Sequence, residues 1–215
     1  MATLQMVYND TEVYNLWCWE SQQIVHQTAK MTNRTLSPTG HIRVALLGPL
    51  GEEPMLTVIT KMARPSEMRA LEKESRIYTT RLKHLQGTVV PICYGLYRGK
   101  MGSEEVGFLL LEYCQGPQNV PLMDRNDLIM IAVCKLHQAG VLHGSLDDLH
   151  HIVCSDIGVR IIDFSGALEN HRCVGGVPMG THPSAVIPSR NGCSELVLME
   201  KIYGLMDLLS SHNRF

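Results

Sequence analysis

From His41 onward the apolar and polar positions fall into strand-like runs, one helix, further strands, and then a more helical half. Ile42–Leu47 and Met55–Lys61 are apolar, β-branched runs on either side of Gly48-Pro49-Leu50-Gly51-Glu52-Glu53, a hairpin with a longer loop. Pro65 and Ser66 open a helix that Gly87 closes, with Leu71, Tyr78, Leu82 and Leu85 at helical spacing. Glu74 falls on that apolar stripe. A carboxylate on a buried face is costly unless paired, so Glu74 either meets a cation, sits at the stripe's edge in solvent, or yields the inward position to Ser75. Two more strands, Ile92–Tyr97 and Val106–Tyr113, flank the turn-like Arg98–Ser103. A helix over Asp124–Gln138 turns Leu128, Ile131, Ala132 and Leu136 inward and stops at Gly140. Val141–His143, Ile152–Val153 and Val159–Ile162 read as short strands, residues 175–192 as a Gly/Pro/Ser-rich loop, and Ser194–Leu209 as an amphipathic helix. Residues 1–40 are mixed: Tyr14–Thr28 predicts a helix and Met31–Gly40 a connector. A β-rich first half followed by a helical one predicts an α+β arrangement with a cleft between the halves.

Composition narrows the class. With 215 residues, 45% hydrophobic and 19% charged, the chain reads as one globular or two-lobed domain. A net charge of −2 with no basic block speaks against nucleic acid, and the apolar run Leu128–Cys134 is too short to span a bilayer. No secretory signal is visible at Met1–Gln5. The seven cysteines are scattered without a CxxC pair, which weakens a zinc reading and suits reduced thiols in the cytoplasm. Cys173 and Cys193 are the two whose proximity the sequence leaves open.

Several strings are similar to those of protein kinases. Leu136-His137-Gln138-Ala139-Gly140-Val141-Leu142-His143-Gly144-Ser145-Leu146 resembles the approach to a catalytic loop, and Ile161-Ile162-Asp163-Phe164-Ser165-Gly166 resembles the magnesium-holding Asp-Phe-Gly segment, 18 residues after Ser145. Val58-Ile59-Thr60-Lys61 resembles the strand of the ATP-binding lysine, Glu74 its helix partner, and Leu110–Cys114 the hinge. The wording is similar to a group of short fungal kinase-like proteins. The resemblance implies a protein-kinase-like two-lobed α+β fold with a reduced C-terminal helical lobe: an N-terminal extension over 1–40, a β-rich lobe over 41–114 and a shortened helical lobe over 115–215. It implies ATP and magnesium as cofactors, with Lys61, Glu74, Glu112 and Cys114 about the nucleotide and Asp163 on the metal.

Departures from that pattern argue against the ordinary reaction. Ser145 stands where the family has its catalytic aspartate, and a hydroxyl is a poor base. His150 replaces the second metal-binding asparagine, and imidazole suits magnesium badly. The glycine-rich phosphate loop and an Ala-Pro-Glu segment are missing, and 52 residues follow Asp163, too few for a full helical lobe. The implied function is a pseudokinase acting as a regulator or scaffold, binding a nucleotide or small ligand in the cleft and meeting a protein partner or small molecule. The alternative is an atypical phosphotransferase or repurposed small-molecule enzyme in which Asp147, His150 and Asp163, beside Asp148 and His151, do acid/base or metal chemistry. The bland reading of that cluster is a solvated turn.

Overall fold

The computed structural model describes residues 2–18, 25–114, 122–155, 158–173 and 193–203. Its contacts divide the chain into two units, Met1–Arg76 with Ile92–Tyr113 and Ile77–Pro91 with Cys114–Phe215.

The first unit is a closed barrel. Its strands are β1 (Ala2–Tyr8), β2 (Glu12–Cys18), β3 (His26–Thr35), β4 (Ile42–Pro49), β5 (Leu56–Ala63), β6 (Cys93–Met101) and β7 (Glu104–Glu112), in the order β1-β2-β6-β7-β5-β4-β3. The turn between β1 and β2 places Asn9 and Asp10 at φ 49° and 62°, a left-handed conformation that short polar side chains tolerate. Every other residue of β1 (Ala2, Leu4, Met6) points inward, the period-2 rule of a strand with one buried face. Leu16, Ala29, Met31, Ala45, Leu47, Val58, Tyr97, Val106, Phe108 and Leu110 complete that interior. β1 and β3 pair in parallel and close the ring. The β2–β6 seam is brief, Leu16 facing Gly99 and Trp17 facing Arg98.

α1 (Met68–Thr79) has the expected stripe: Leu71, Glu74, Ser75, Ile77 and Tyr78 are buried, followed by Leu82 and Leu85 near the 3-10 turn Lys83–Leu85. The second unit contains α2 (Leu122–Gln138), the hairpin β9–β10 (Ile152–Ser155, Gly158–Ile161), the pair β8–β11 (Val141–Leu142, Leu168–Glu169) and α3 (Ser194–Tyr203). Arg160 is buried there and donates to the carbonyls of Thr88, Gly87 and Val159, so its charge is met by backbone dipoles.

The kinase-like two-lobed α+β fold is corrected by this architecture. A closed mixed barrel dominates, and three α-helices are present among the described residues. The physical reason lies in the first 40 residues: over the helix expected at Tyr14–Thr28 the described parts are mainly β2 and the start of β3, and the first half of the Met31–Gly40 connector, Met31–Thr35, continues β3 while the rest is turn. These strands convert an open sheet into a ring. The inward face of α2 is also rotated. Leu128 and Ile131 are exposed, while Ile129, Ala132, Val133 and Leu136 are buried. The 175–192 loop and the end of the last helix, beyond Tyr203, lie outside the described residues.

A Cβ on Gly99 would lie 2.5 Å from Leu16 Cδ2 and 2.7 Å from the Asn15 carbonyl oxygen. Gly99→Ala therefore strains the barrel's shortest seam and lowers stability by about 1–3 kcal/mol in urea denaturation. Gly166→Ala, with nothing within 4 Å, is the neutral control.

Candidate functional site

In the barrel unit, Lys61 on β5 and Glu74 on α1 form an ion pair, Nζ to Oε2 2.6 Å, which decides among the alternatives open to Glu74. The Glu74 side chain is 1% exposed and that of Lys61 16%, so the pair is desolvated from the carboxylate side. Glu112 ends β7, where its Oε2 accepts from Ile92 N at 3.1 Å and its N–H donates to Ile92 O; its described role is to tie two chain segments together. Cys114 is half-buried and belongs to the second unit.

The barrel also has a pocket of about 270 Å³, lined by Tyr8, Met31, His41, Arg43, Met62, Arg64 and Phe108 among others. His41 Nδ1 lies 3.7 Å from Glu67, and Arg43 Nε donates to Gly40 O at 3.0 Å. Burial pushes the Tyr8 hydroxyl above its ordinary value against the opposing pull of Arg43. None of these lining residues stood out in the sequence: His41, Arg43, Met62 and Arg64 lie on or beside the expected β4–β5 hairpin, but Tyr8 and Met31 come from β1 and β3, strands that the pattern did not disclose.

In the second unit the loop after β8 gathers the remaining candidates. Glu195, on the first turn of α3 and buried, accepts from His143 N at 3.1 Å, from Gly144 N at 2.5 Å and from His137 Nε2 at 2.7 Å. Burial pushes this carboxyl up, but the three hydrogen bonds outweigh it and hold it below the ordinary carboxylate value. With the loop so fixed, His143 Nε2 donates to Ile162 O at 2.9 Å, which leaves Nδ1 as acceptor for the Ser145 hydroxyl at 3.2 Å. His151 Nδ1 donates to Ser145 O at 2.8 Å and lies 3.3 Å from Ser145 Oγ. The other ring nitrogen, His151 Nε2, lies 3.8 Å from Asp163 Oδ2, with side chains 20% and 33% exposed. Asp163 sits at φ 66° and its Oδ1 accepts from Ser165 Oγ at 2.8 Å, a local bond of the kind that lets Asp hold a left-handed conformation.

The structure thus brings Ser145, His143, His151 and Asp163 together, but not the other loop candidates. His150 is 94% exposed and bonded to Asp148 at 2.8 Å, and Asp147 is exposed. That matches a solvated turn at 147–150. His151, weighed in the sequence only as a core residue or a member of the loop cluster, is the histidine that faces Asp163.

The Ser145 hydroxyl has a base beside it, but a weak one. His143 is fully buried, and burial lowers its pKa from 6.5 despite the Ile162 carbonyl and the nearby Glu195 and Asp163 carboxylates. It is oriented by a backbone carbonyl rather than by a carboxylate, the partner that supports an imidazolium in serine hydrolases.

No family model and no curated protein matches this chain. Membership among kinase-like proteins, and the nucleotide- and ATP-binding role drawn from it, are corrected on the same ground as the fold: a closed barrel with no family match. No helix among the described residues is long and apolar enough to cross a membrane.

Two outcomes follow from the geometry. Glu74→Ala removes the buried carboxylate 2.6 Å from the Lys61 ammonium and costs about 3–5 kcal/mol in chemical denaturation, whereas the paired change Lys61→Met with Glu74→Leu recovers most of that. For His143 the folded pKa lies below the unfolded 6.5, so the unfolded chain takes up the proton first as pH falls. Its contribution to stability is complete above pH 6.5 and is lost as pH drops through the lowered folded value. Urea midpoints recorded on both sides of that window fall less steeply for His143→Gln than for the parent.

Proposed function

We propose that this protein works by binding rather than by turnover, as a regulatory or scaffold protein that takes a small anionic ligand into the barrel pocket. The observation that carries this reading is the pocket's lining: Arg43, Arg64 and His41 around a wall of Met31, Met62 and Phe108. Guanidinium groups over an apolar wall recognise a carboxylate or phosphate carried on a hydrophobic body. A volume of about 270 Å³ is just below the usual range for drug-sized ligands, which favours a single ring or short chain. The state of Ser145 supports absence of turnover, since its hydroxyl lies between two imidazoles and the one that accepts its proton is a weak base.

A second reading, a small-molecule enzyme or phosphotransferase, is favoured by one observation: His151 Nε2 and Asp163 Oδ2 face each other at 3.8 Å and are both reachable from solvent. The magnesium expected at Asp163 belongs to this reading.

Phenyl phosphate separates the two. Under the first reading it binds saturably in calorimetry without being hydrolysed, Arg43→Ala weakens it by at least about tenfold, and Asp163→Asn leaves it unchanged. Absence of saturable binding at millimolar ligand would remove the anion pocket. Hydrolysis that disappears in Asp163→Asn, or fluorophosphonate labelling of Ser145, would establish an enzyme instead.

A further inference from the structure

Apart from the loop, the second unit holds a cluster that neither reading above uses. One ligand atom each from His137, His171, Cys173 and Cys193 lies within 4.8 Å of all the others. His137 Nδ1 is 3.5 Å and His171 Nε2 is 3.7 Å from Cys193 Sγ. A tetrahedral zinc with Zn–S of about 2.3 Å and Zn–N of about 2.0–2.1 Å sets the N···S separation near 3.6 Å. Both measured distances fall there. The rings of His137 and His171 stand edge to face, 5.0 Å between centroids, so their nitrogens converge without stacking.

The tautomer agrees. Glu195 accepts from His137 Nε2 at 2.7 Å, which places the lone pair on Nδ1, the atom that faces the sulfur. A carboxylate on the far nitrogen of a ligating histidine is the usual outer partner of a zinc site. The backbone around the cluster is also fixed before any ion arrives. Gly140, at φ 75° just past α2, accepts at its carbonyl from His171 N (2.8 Å), and β11 pairs with β8 immediately upstream. Cys193 O accepts from Val197 N, anchoring that cysteine at the start of α3.

We propose that His137, His171, Cys173 and Cys193 bind one zinc ion as a closed, structural Cys2His2 site. Two thiolates neutralise the dication, so the partly buried site adds no net charge to the unit. Four protein ligands leave no open position for substrate, which makes the ion a clamp among α2, the 171–173 segment and α3. Through Glu195 the clamp also orders His143 and Gly144.

The test uses the full chain purified under reducing conditions. Elemental analysis should find about one zinc per chain, and cobalt replacing it should give intense tetrahedral d–d bands with thiolate-to-cobalt charge transfer. Cys173→Ser and His171→Gln should each lower zinc content at least about fivefold, and Glu195→Gln should weaken zinc about 10–100-fold in chelator competition. The parent's cobalt spectrum decides even if the variants fail to fold, since Asp163, His151, Asp148 and His150 supply no thiolate. Absence of zinc together with a thiolate-free cobalt spectrum would overturn the site, as would zinc that survives both ligand substitutions.

Discussion

The parallel seam between β1 and β3 is the constraint on which the barrel unit rests. A sheet has edges, and each edge presents unpaired N–H and C=O groups; bringing the first and third strands together removes both at once. Once the ring is shut its interior must be filled, and a mixture of small and large side chains does so, Ala2, Ala29 and Ala45 sharing one core with Met6, Met31 and Phe108. Closure also fixes the position of β5, and with it the register that presents Lys61. The buried Glu74 is tolerated because the register supplies its counter-charge at 2.6 Å. A slip of one residue in β5 would turn Lys61 to the opposite face and strand the carboxylate.

In the second unit Glu195 has the corresponding place. Eight residues separate the β8 strand from His151, the partner of Ser145's carbonyl, and the backbone N–H groups of His143 and Gly144 find their acceptor far along the chain. One carboxylate on α3 accepts both of their N–H groups and the His137 ring. The loop geometry, and so the lodging of the Ser145 hydroxyl between two imidazoles, depends on a residue some 50 positions downstream.

This explains what the sequence disclosed. Strands β4, β5 and β7 were legible because each is an apolar or β-branched run, and α1 because Leu71, Tyr78 and Leu82 keep a helical period; of β6 only the first half was, since the polar Arg98–Met101 that continues the strand reads as a turn. The buried stripe showed only that Glu74 needs a partner or the stripe's edge; Lys61 was named as that partner through the kinase resemblance, and the structure pairs the two although the fold is not that of a kinase. β2 and β3 were not. Tyr14, Trp17 and Cys18 fit a helical spacing as well as a strand, and β3 shows only Ala29 and Met31 on its inner face, so local pattern could not choose. Ring closure is a long-range choice that no window of the chain contains. The same holds for the clustered cysteines: adjacent ligands in a CxxC announce themselves, whereas Cys173 and Cys193 meet only because β8 pairs with β11 and α3 returns to α2.

The loop and the metal cluster are consequently one problem. Glu195 receives the His137 imidazole on one side and the loop's backbone on the other, so a charge placed on His137 Nδ1 is felt at the loop. A cation bound at Nδ1 would strengthen the bond from Nε2 to Glu195. The carboxylate that positions His143 and Gly144 is therefore tuned by whatever occupies the far side of His137. Any chemistry or binding at Ser145, His151 and Asp163 has to be judged with that occupancy known, because the loop that positions them is held through the same carboxylate.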